Sequence, residues 1–200
     1  RDLRAMLVAA QRPFVIAGGG GWDAEGARAL QRFAENWQLP VGCGFRFQDS
    51  FDNHHPLYAG DVGIAINPKL AARVREADLV IALGVRLGEM TTGGYTLLEA
   101  PRPQQKLVHL HAGAEELGRV YAADLMLQAS VNNAAKALES LAAPPQLAWR
   151  AWSEAAAADF AANRVPQAVE PLDMAQVMLT LERLVPENSV FTNGAGNYSG

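Results

Sequence analysis

Four apolar residues, Phe14-Val15-Ile16-Ala17, run straight into four glycines, Gly18 to Gly21, and no other stretch limits the fold as much. The apolar run is too short and too β-branched for a helix, so it reads as a buried strand. The glycines stop it: they open backbone angles closed to other residues and admit close approach of another chain or a ligand. Asp23 and the run Ala24–Trp37 follow as a helix, with Ala27, Leu30, Phe33, Ala34 and Trp37 along one apolar stripe. Such a stripe is a core face rather than a cofactor surface. Strand, glycine turn and helix open a doubly wound α/β sheet, where helix N-termini can face phosphates. The dinucleotide fingerprint G-x-G-x-x-G lacks its last glycine here, because Gly18–Gly21 are followed by Trp22 and Asp23. A phosphate cradle and a tight turn with nothing bound are both open readings of the turn.

The remaining segments extend the same alternation. Asp2–Gln11 has helical spacing and Pro13 ends it. Pro40–Phe45 reads as a second short strand, and Arg46–Asp61 as a loop by composition. Gly60-Asp61-Val62-Gly63 leads into a helix over Pro68–Ala77, with Pro68 in its first turn. Asp78–Val85 is apolar enough to be buried on both faces, as in a parallel sheet. The polar, glycine-rich Arg86–Gly94 leaves its carboxyl end, where open α/β sheets bind ligands. Arg86 there can grip a phosphate or carboxylate, or pair with Glu89 or another loop carboxylate. Lys106–His111 and Ala123–Ser130 are further strands, and Val131–Leu141 a helix. Ala142–Pro145 reads as a linker, which divides the chain into 1–143 and 144–200. Beyond it come helices over Leu147–Phe160 and Met174–Leu184, the second capped by Asp173, then a strand over Ser189–Thr192. The fold class expected is α/β: a doubly wound, mainly parallel sheet flanked by helices.

Composition removes several function classes. A net charge of −4 argues against a general nucleic-acid or membrane surface. The single cysteine, Cys43, excludes an internal disulfide framework and suits a reducing, cytoplasmic compartment. Flanked by Gly42 and Gly44, it reads as a small buried hydrophobe. No apolar run reaches membrane-spanning length. His54 and His55 are neighbours and rarely point at one ion; His109 and His111 share a strand face but lack a further ligand, so no metal site is expected. Arg1 and Gly200 both read as cuts in a longer protein.

The order of these blocks resembles a known family. Arg12-Pro13-Phe14-Val15-Ile16-Ala17-Gly18-Gly19-Gly20 is followed by Gly60-Asp61-Val62-Gly63, Ala77–Arg86, Thr92-Gly93 and Glu116-Leu117-Gly118-Arg119. This is similar to the central domain of thiamine-diphosphate-dependent enzymes of the acetolactate synthase and benzoylformate decarboxylase type. The resemblance covers nearly the whole chain, and residues 144–200 resemble a linker and the start of the family's third, cofactor-binding domain. It implies thiamine diphosphate and Mg2+ in a longer parent, with Gly194, Ala195, Gly196 and Asn197 at the diphosphate. The activating glutamate and the magnesium-binding Gly-Asp-Gly segment would lie outside this chain. The implied reaction is decarboxylation or carboligation of a 2-keto acid through a cofactor-bound enamine, in a homodimer or homotetramer.

In flavin-containing members the central domain holds FAD, and related members hold ADP or nothing. The matching positions here are Gly18, Gly19, Gly20, Arg86, Thr92 and Gly93. Where FAD binders place aspartates on the next two strands, this chain has His111, Gly113 and Ser130, so an empty or altered site is expected. Gly196-Asn197 also replaces the Gln-His pair of acetolactate synthases. The piece itself is expected to be scaffold, catalytically silent alone. Two other classes stay open: an NAD-linked enzyme on the same kind of sheet, and a non-catalytic nucleotide-binding or assembly module.

Overall fold

The computed structural model describes residues 1–166 and 171–192. Six strands form one parallel sheet in the order β3-β2-β1-β4-β5-β6. They are β1 (Pro13–Ala17), β2 (Val41–Gly44), β3 (Tyr58–Val62), β4 (Leu79–Leu83), β5 (Lys106–His111) and β6 (Leu125–Gln128). The helices are α1 (Asp2–Ala9), α2 (Ala24–Trp37), α3 (Pro68–Glu76), α4 (Val131–Glu139), α5 (Arg150–Asn163) and α6 (Met174–Leu184). This is the doubly wound order whose direction reverses between the first and fourth strands. The expected α/β class is what the chain adopts.

Strand alternation explains the two cores. In β1, Val15 and Ala17 join one cluster, whereas Phe14 and Ile16 join the other. In β4, Leu79, Ile81 and Leu83 oppose Val80 and Ala82 in the same way. The first cluster takes Leu3 and Leu7 of α1, Leu30, Phe33 and Trp37 of α2, and Ala135 and Leu138 of α4. The second takes Leu70, Ala71 and Val74 of α3 with Leu97, Leu98 and Tyr121. Both faces being covered is why β1 and β4 read as continuous apolar runs.

Two local expectations need correction. The stretch expected to be loop up to Asp61 contains β3 at its end. Tyr58-Ala59-Gly60-Asp61-Val62 carries little intrinsic strand preference, with a glycine at φ 120°. Pairing makes it a strand: Gly60 and Asp61 lie opposite Gly42 and Cys43 of β2, past an irregularity at Val41 and Gly42. Conversely, Ser189–Thr192 forms no strand, and Val190 and Phe191 are exposed. A strand exists through its partner's ladder, and the described residues around it offer none.

The compact first unit runs from Arg1 to Phe160; Ala161–Gly200 form a second unit. Residues 142–149 have no regular helix or strand, and they and the start of α5 belong to the first unit. Trp149 is buried and stacks on Trp37, with ring centroids 6.3 Å apart and planes 4° from parallel. Its indole N–H donates to the Trp37 carbonyl at 2.8 Å, and the Ser153 hydroxyl donates to the Gln38 carbonyl at 2.6 Å. These bonds satisfy carbonyls that the end of α2 would otherwise leave unpaired. Farther along α5, Trp152 donates to the Pro13 carbonyl, Arg73 lies over the Trp152 ring, and Asp159 accepts from Arg73 Nε at 2.8 Å. In the second unit, α6 is capped by Asp173 accepting from Ala175 N–H, and Arg164 pairs with Glu182.

Candidate functional site

In a doubly wound sheet the ligand position is the crevice beyond the strands' carboxyl ends, where the order reverses. Here that point lies between β1 and β4. Gly18 N–H donates to the Leu83 carbonyl at 3.1 Å, and Gly84 N–H to the Leu110 carbonyl at 2.8 Å, so the ladder continues one residue beyond each strand. Gly19, at φ 77°, lies so close to Gly84 that an added Cβ would collide with the Gly84 carbonyl oxygen. The two turns therefore touch backbone to backbone. Gly20 and Gly21 are exposed, and a Cβ on either would meet nothing within 4 Å.

The first turn of α4 closes over this turn. Val131 packs on Gly84, and Asn132 bonds the glycine loop twice: its amide N–H donates to the Gly21 carbonyl at 2.9 Å, and its carbonyl accepts from Asp23 N–H at 3.1 Å. Asp23 caps α2, accepting from Gly26 N–H at 2.6 Å. The Trp22 indole N–H donates back to the Gly18 carbonyl at 3.0 Å.

Arg86 follows β4 and is largely exposed. Its guanidinium pairs with Glu116 at 3.1 Å, and Glu116 also pairs with Arg119 at 3.0 Å. The carboxylate that the sequence left unspecified for Arg86 is thus Glu116, not Glu89. Burial opposes the charge on Glu116, yet the two guanidinium groups hold its carboxyl below the ordinary range. Thr92 is fully buried, and its hydroxyl is used by its own loop: it donates to the Gly88 carbonyl at 2.9 Å and accepts from Tyr95 N–H at 3.1 Å. Gly93 (φ 56°) and Gly94 (φ 69°) complete that turn. A cavity of about 70 Å³ lies beside it, lined by Arg86, Tyr95, His109, Glu116 and Tyr121 among others. The Tyr121 hydroxyl is buried there near Thr92 without a well-shaped hydrogen bond.

The structure thus brings Gly18 and Gly19 against the end of β4, and Arg86 and Thr92 to the walls of the loop beyond it. Glu116, Tyr121 and Asn132 were not singled out as site residues. Glu116 and Arg119 stand three apart, which was a usable signal for a pair. Asn132 meets the glycine turn across 111 residues, and no local pattern encodes that. Gly194, Ala195, Gly196 and Asn197 lie outside the described residues.

His55, His109, His111 and the cysteine are held by partners within the fold. His109 is buried, its Nε2 lies 3.0 Å from the Val85 carbonyl, and burial pushes its pKa down. His111 Nδ1 accepts from Gly113 N–H at 3.0 Å. His55 lies 3.1 Å from Glu35 and edge-on to Phe51, while His54 is exposed. Burial pushes the Cys43 thiol up to about 11, which leaves it unreactive at neutral pH. Among the described residues no group of three or more His, Cys, Asp or Glu could hold a metal ion, and no helix is long and apolar enough to cross a membrane.

One carboxylate sits uneasily. Asp61, at the end of β3, is half-buried; burial raises its pKa, and a hydrogen bond from Gln48 at 2.9 Å opposes this only in part. A carboxyl whose folded pKa lies above its unfolded one costs stability when ionised, so the cost is present at neutral pH and disappears on acidification below 3.8. Asp61→Asn is therefore expected to raise the Tm at pH 7 and to leave it nearly unchanged once both proteins are measured below that window. Melting curves across pH check this, and a gain that persists in acid would refute it.

Comparison with known proteins agrees with this architecture. Residues 1–138 match the family model for the central domain of thiamine pyrophosphate enzymes. The large subunit of acetolactate synthase isozyme 1 from Escherichia coli K12 is 28% identical over 99% of this chain and 34% of its own length. Glyoxylate carboligase from E. coli O157:H7 is 32% identical over 72% of this chain and 24% of its own. A 3D-(3,5/4)-trihydroxycyclohexane-1,2-dione hydrolase from Bacillus cereus is 33% identical over 49% of this chain and 15% of its own. The chain thus spans about a third or less of the curated relatives that it matches. A parallel sheet in the order 3-2-1-4-5-6, with a family match that runs from Arg1 into α4, leads to one assignment: the chain belongs to the thiamine pyrophosphate enzymes and carries their central domain.

Proposed function

We propose that this chain is the central, scaffolding part of a thiamine-diphosphate-dependent enzyme that decarboxylates or ligates 2-keto acids. The family match over residues 1–138 carries the reading, and two relatives of the same region, an acetolactate synthase and a glyoxylate carboligase, bear names of carbon–carbon bond-forming enzymes. Residues 144–200 are read as linker and the opening of the diphosphate-binding domain. Gly194, Ala195, Gly196 and Asn197 would line the cofactor diphosphate, where small residues admit close backbone approach. Bound there with Mg2+, thiamine diphosphate would supply an electron sink for the carbanion left by loss of carbon dioxide. The contribution of the first unit is mechanical: a rigid sheet whose side chains are committed to one another. We place the enzyme in the cytoplasm as a homodimer or homotetramer with a small-molecule substrate.

The test is direct. The full-length protein, supplied with thiamine diphosphate and Mg2+, is expected to release carbon dioxide from pyruvate or glyoxylate. The 200-residue chain under the same conditions is expected to release none above the cofactor-only control. Turnover by the short chain would overturn the scaffold reading, and an inert full-length protein would overturn the 2-keto acid reading.

A further inference from the structure

We propose that the crevice between β1 and β4 takes no nucleotide, because the chain's own Asp23, Asn132 and Glu116 occupy the positions from which a diphosphate would be gripped. The argument uses only the sheet order and general anion chemistry, so it stands independently of the thiamine reading. A dinucleotide on a doubly wound sheet lays its diphosphate on the N-terminus of the helix after the first strand. That helix is α2. One of its free N–H groups, that of Gly26, already serves the Asp23 carboxylate, and Glu25 adds a second negative charge in its first turn. Like charge at the same place repels a diphosphate. Asn132 also ties the glycine loop to α4 through Gly21 and Asp23, so the loop is not free to fold around a ligand.

The second grip fails in a different way. Arg86 and Arg119 could hold a phosphate, but Glu116 lies between them and is itself mostly buried, with 13% of its side chain exposed. It acts as a built-in anion. The cavity beside the three, about 70 Å³, is several-fold smaller than the roughly 300–1,000 Å³ of a small-molecule site. It is sized for one or two waters, at about 30 Å³ each. The Thr92 hydroxyl is consumed by its own turn. Arg86, Arg119, Thr92, Asn132 and the Gly26 N–H therefore each have a partner from this chain already.

Titration calorimetry of the 200-residue chain with ADP, NAD and pyrophosphate, and fluorescence titration with FAD, are expected to show no saturable binding up to millimolar ligand. Saturable binding of any of the four would overturn the proposal. Glu116→Ala frees two guanidinium groups and opens the cavity, so pyrophosphate or ADP is expected to bind it at least about tenfold more tightly than the parent, the effect of one strong ionic contact. Glu116→Gln, nearly isosteric, guards against loss of fold; circular dichroism confirms that both variants are folded. If both fold and neither gains anion binding, Glu116 is not the plug and the proposal fails.

Discussion

Gly84→Ala is expected to cost the first unit about 2–6 kcal/mol, a large share of the roughly 5–15 kcal/mol that holds a domain together. Two independent penalties add. Gly84 sits at φ 73°, where a side chain strains the backbone by about 1–3 kcal/mol. The new Cβ would also collide with Val131 Cγ1 and come within 2.5 Å of the Gly18 carbonyl oxygen, and overpacking of this kind costs about 1–3 kcal/mol more. Neither neighbour can yield easily: Gly18 continues the ladder from β1, and Val131 begins α4. Gly20→Ala is the control. It lies three residues past β1, with nothing within 4 Å of an added Cβ, and should shift stability by no more than about 0.5 kcal/mol. Urea unfolding of the three proteins measures both. If the two variants lose stability equally, the turns do not meet as described.

Trp149→Ala should be the second severe change. The indole is buried, stacks on Trp37 and donates to the Trp37 carbonyl. Removing a buried tryptophan costs about 3–5 kcal/mol through lost burial and the cavity left behind. For a unit of this size each kcal/mol lowers the Tm by about 2–4 °C, so a drop of the order of 10 °C is expected. Trp149→Phe separates the contributions. It keeps a ring against Trp37 but leaves that carbonyl unpaired, for a loss of about 1–3 kcal/mol. A Trp149→Ala protein that melts within a degree or two of the parent would show that α5 is not part of the cooperative unit.

The reach of the sequence follows physical lines. β1 and β4 were legible because both faces of the sheet are covered, which demands uninterrupted apolar runs. The helices were legible from their stripes and caps: Asp173 caps α6 where expected, and Asp23, read at the start of α2, caps it too. β3 was hidden because Tyr58–Val62 becomes a strand only through its pairing with β2. Ser189–Thr192 misled in the opposite sense: Val190 and Phe191 carry strand preference, but no partner strand lies among the described residues around them. At the crevice, the glycine turn and Arg86 stood out by composition. Glu116 and Asn132 did not, because what makes them matter is which distant groups they meet: Arg86 lies 30 positions before Glu116, and Gly21 lies 111 positions before Asn132.

The clasp formed by α5 also separates two meanings of a boundary. The match to the family's central-domain model stops at residue 138, while the compact first unit continues to Phe160. Anyone who cuts the gene where the central-domain model ends would strip an aromatic lid from Trp37, expose the carbonyls at the foot of α2 and leave Arg73 without its counter-charge on Asp159. The edge of the family model and the edge of the compact unit fall at different residues, and a cut placed after α5 keeps these contacts.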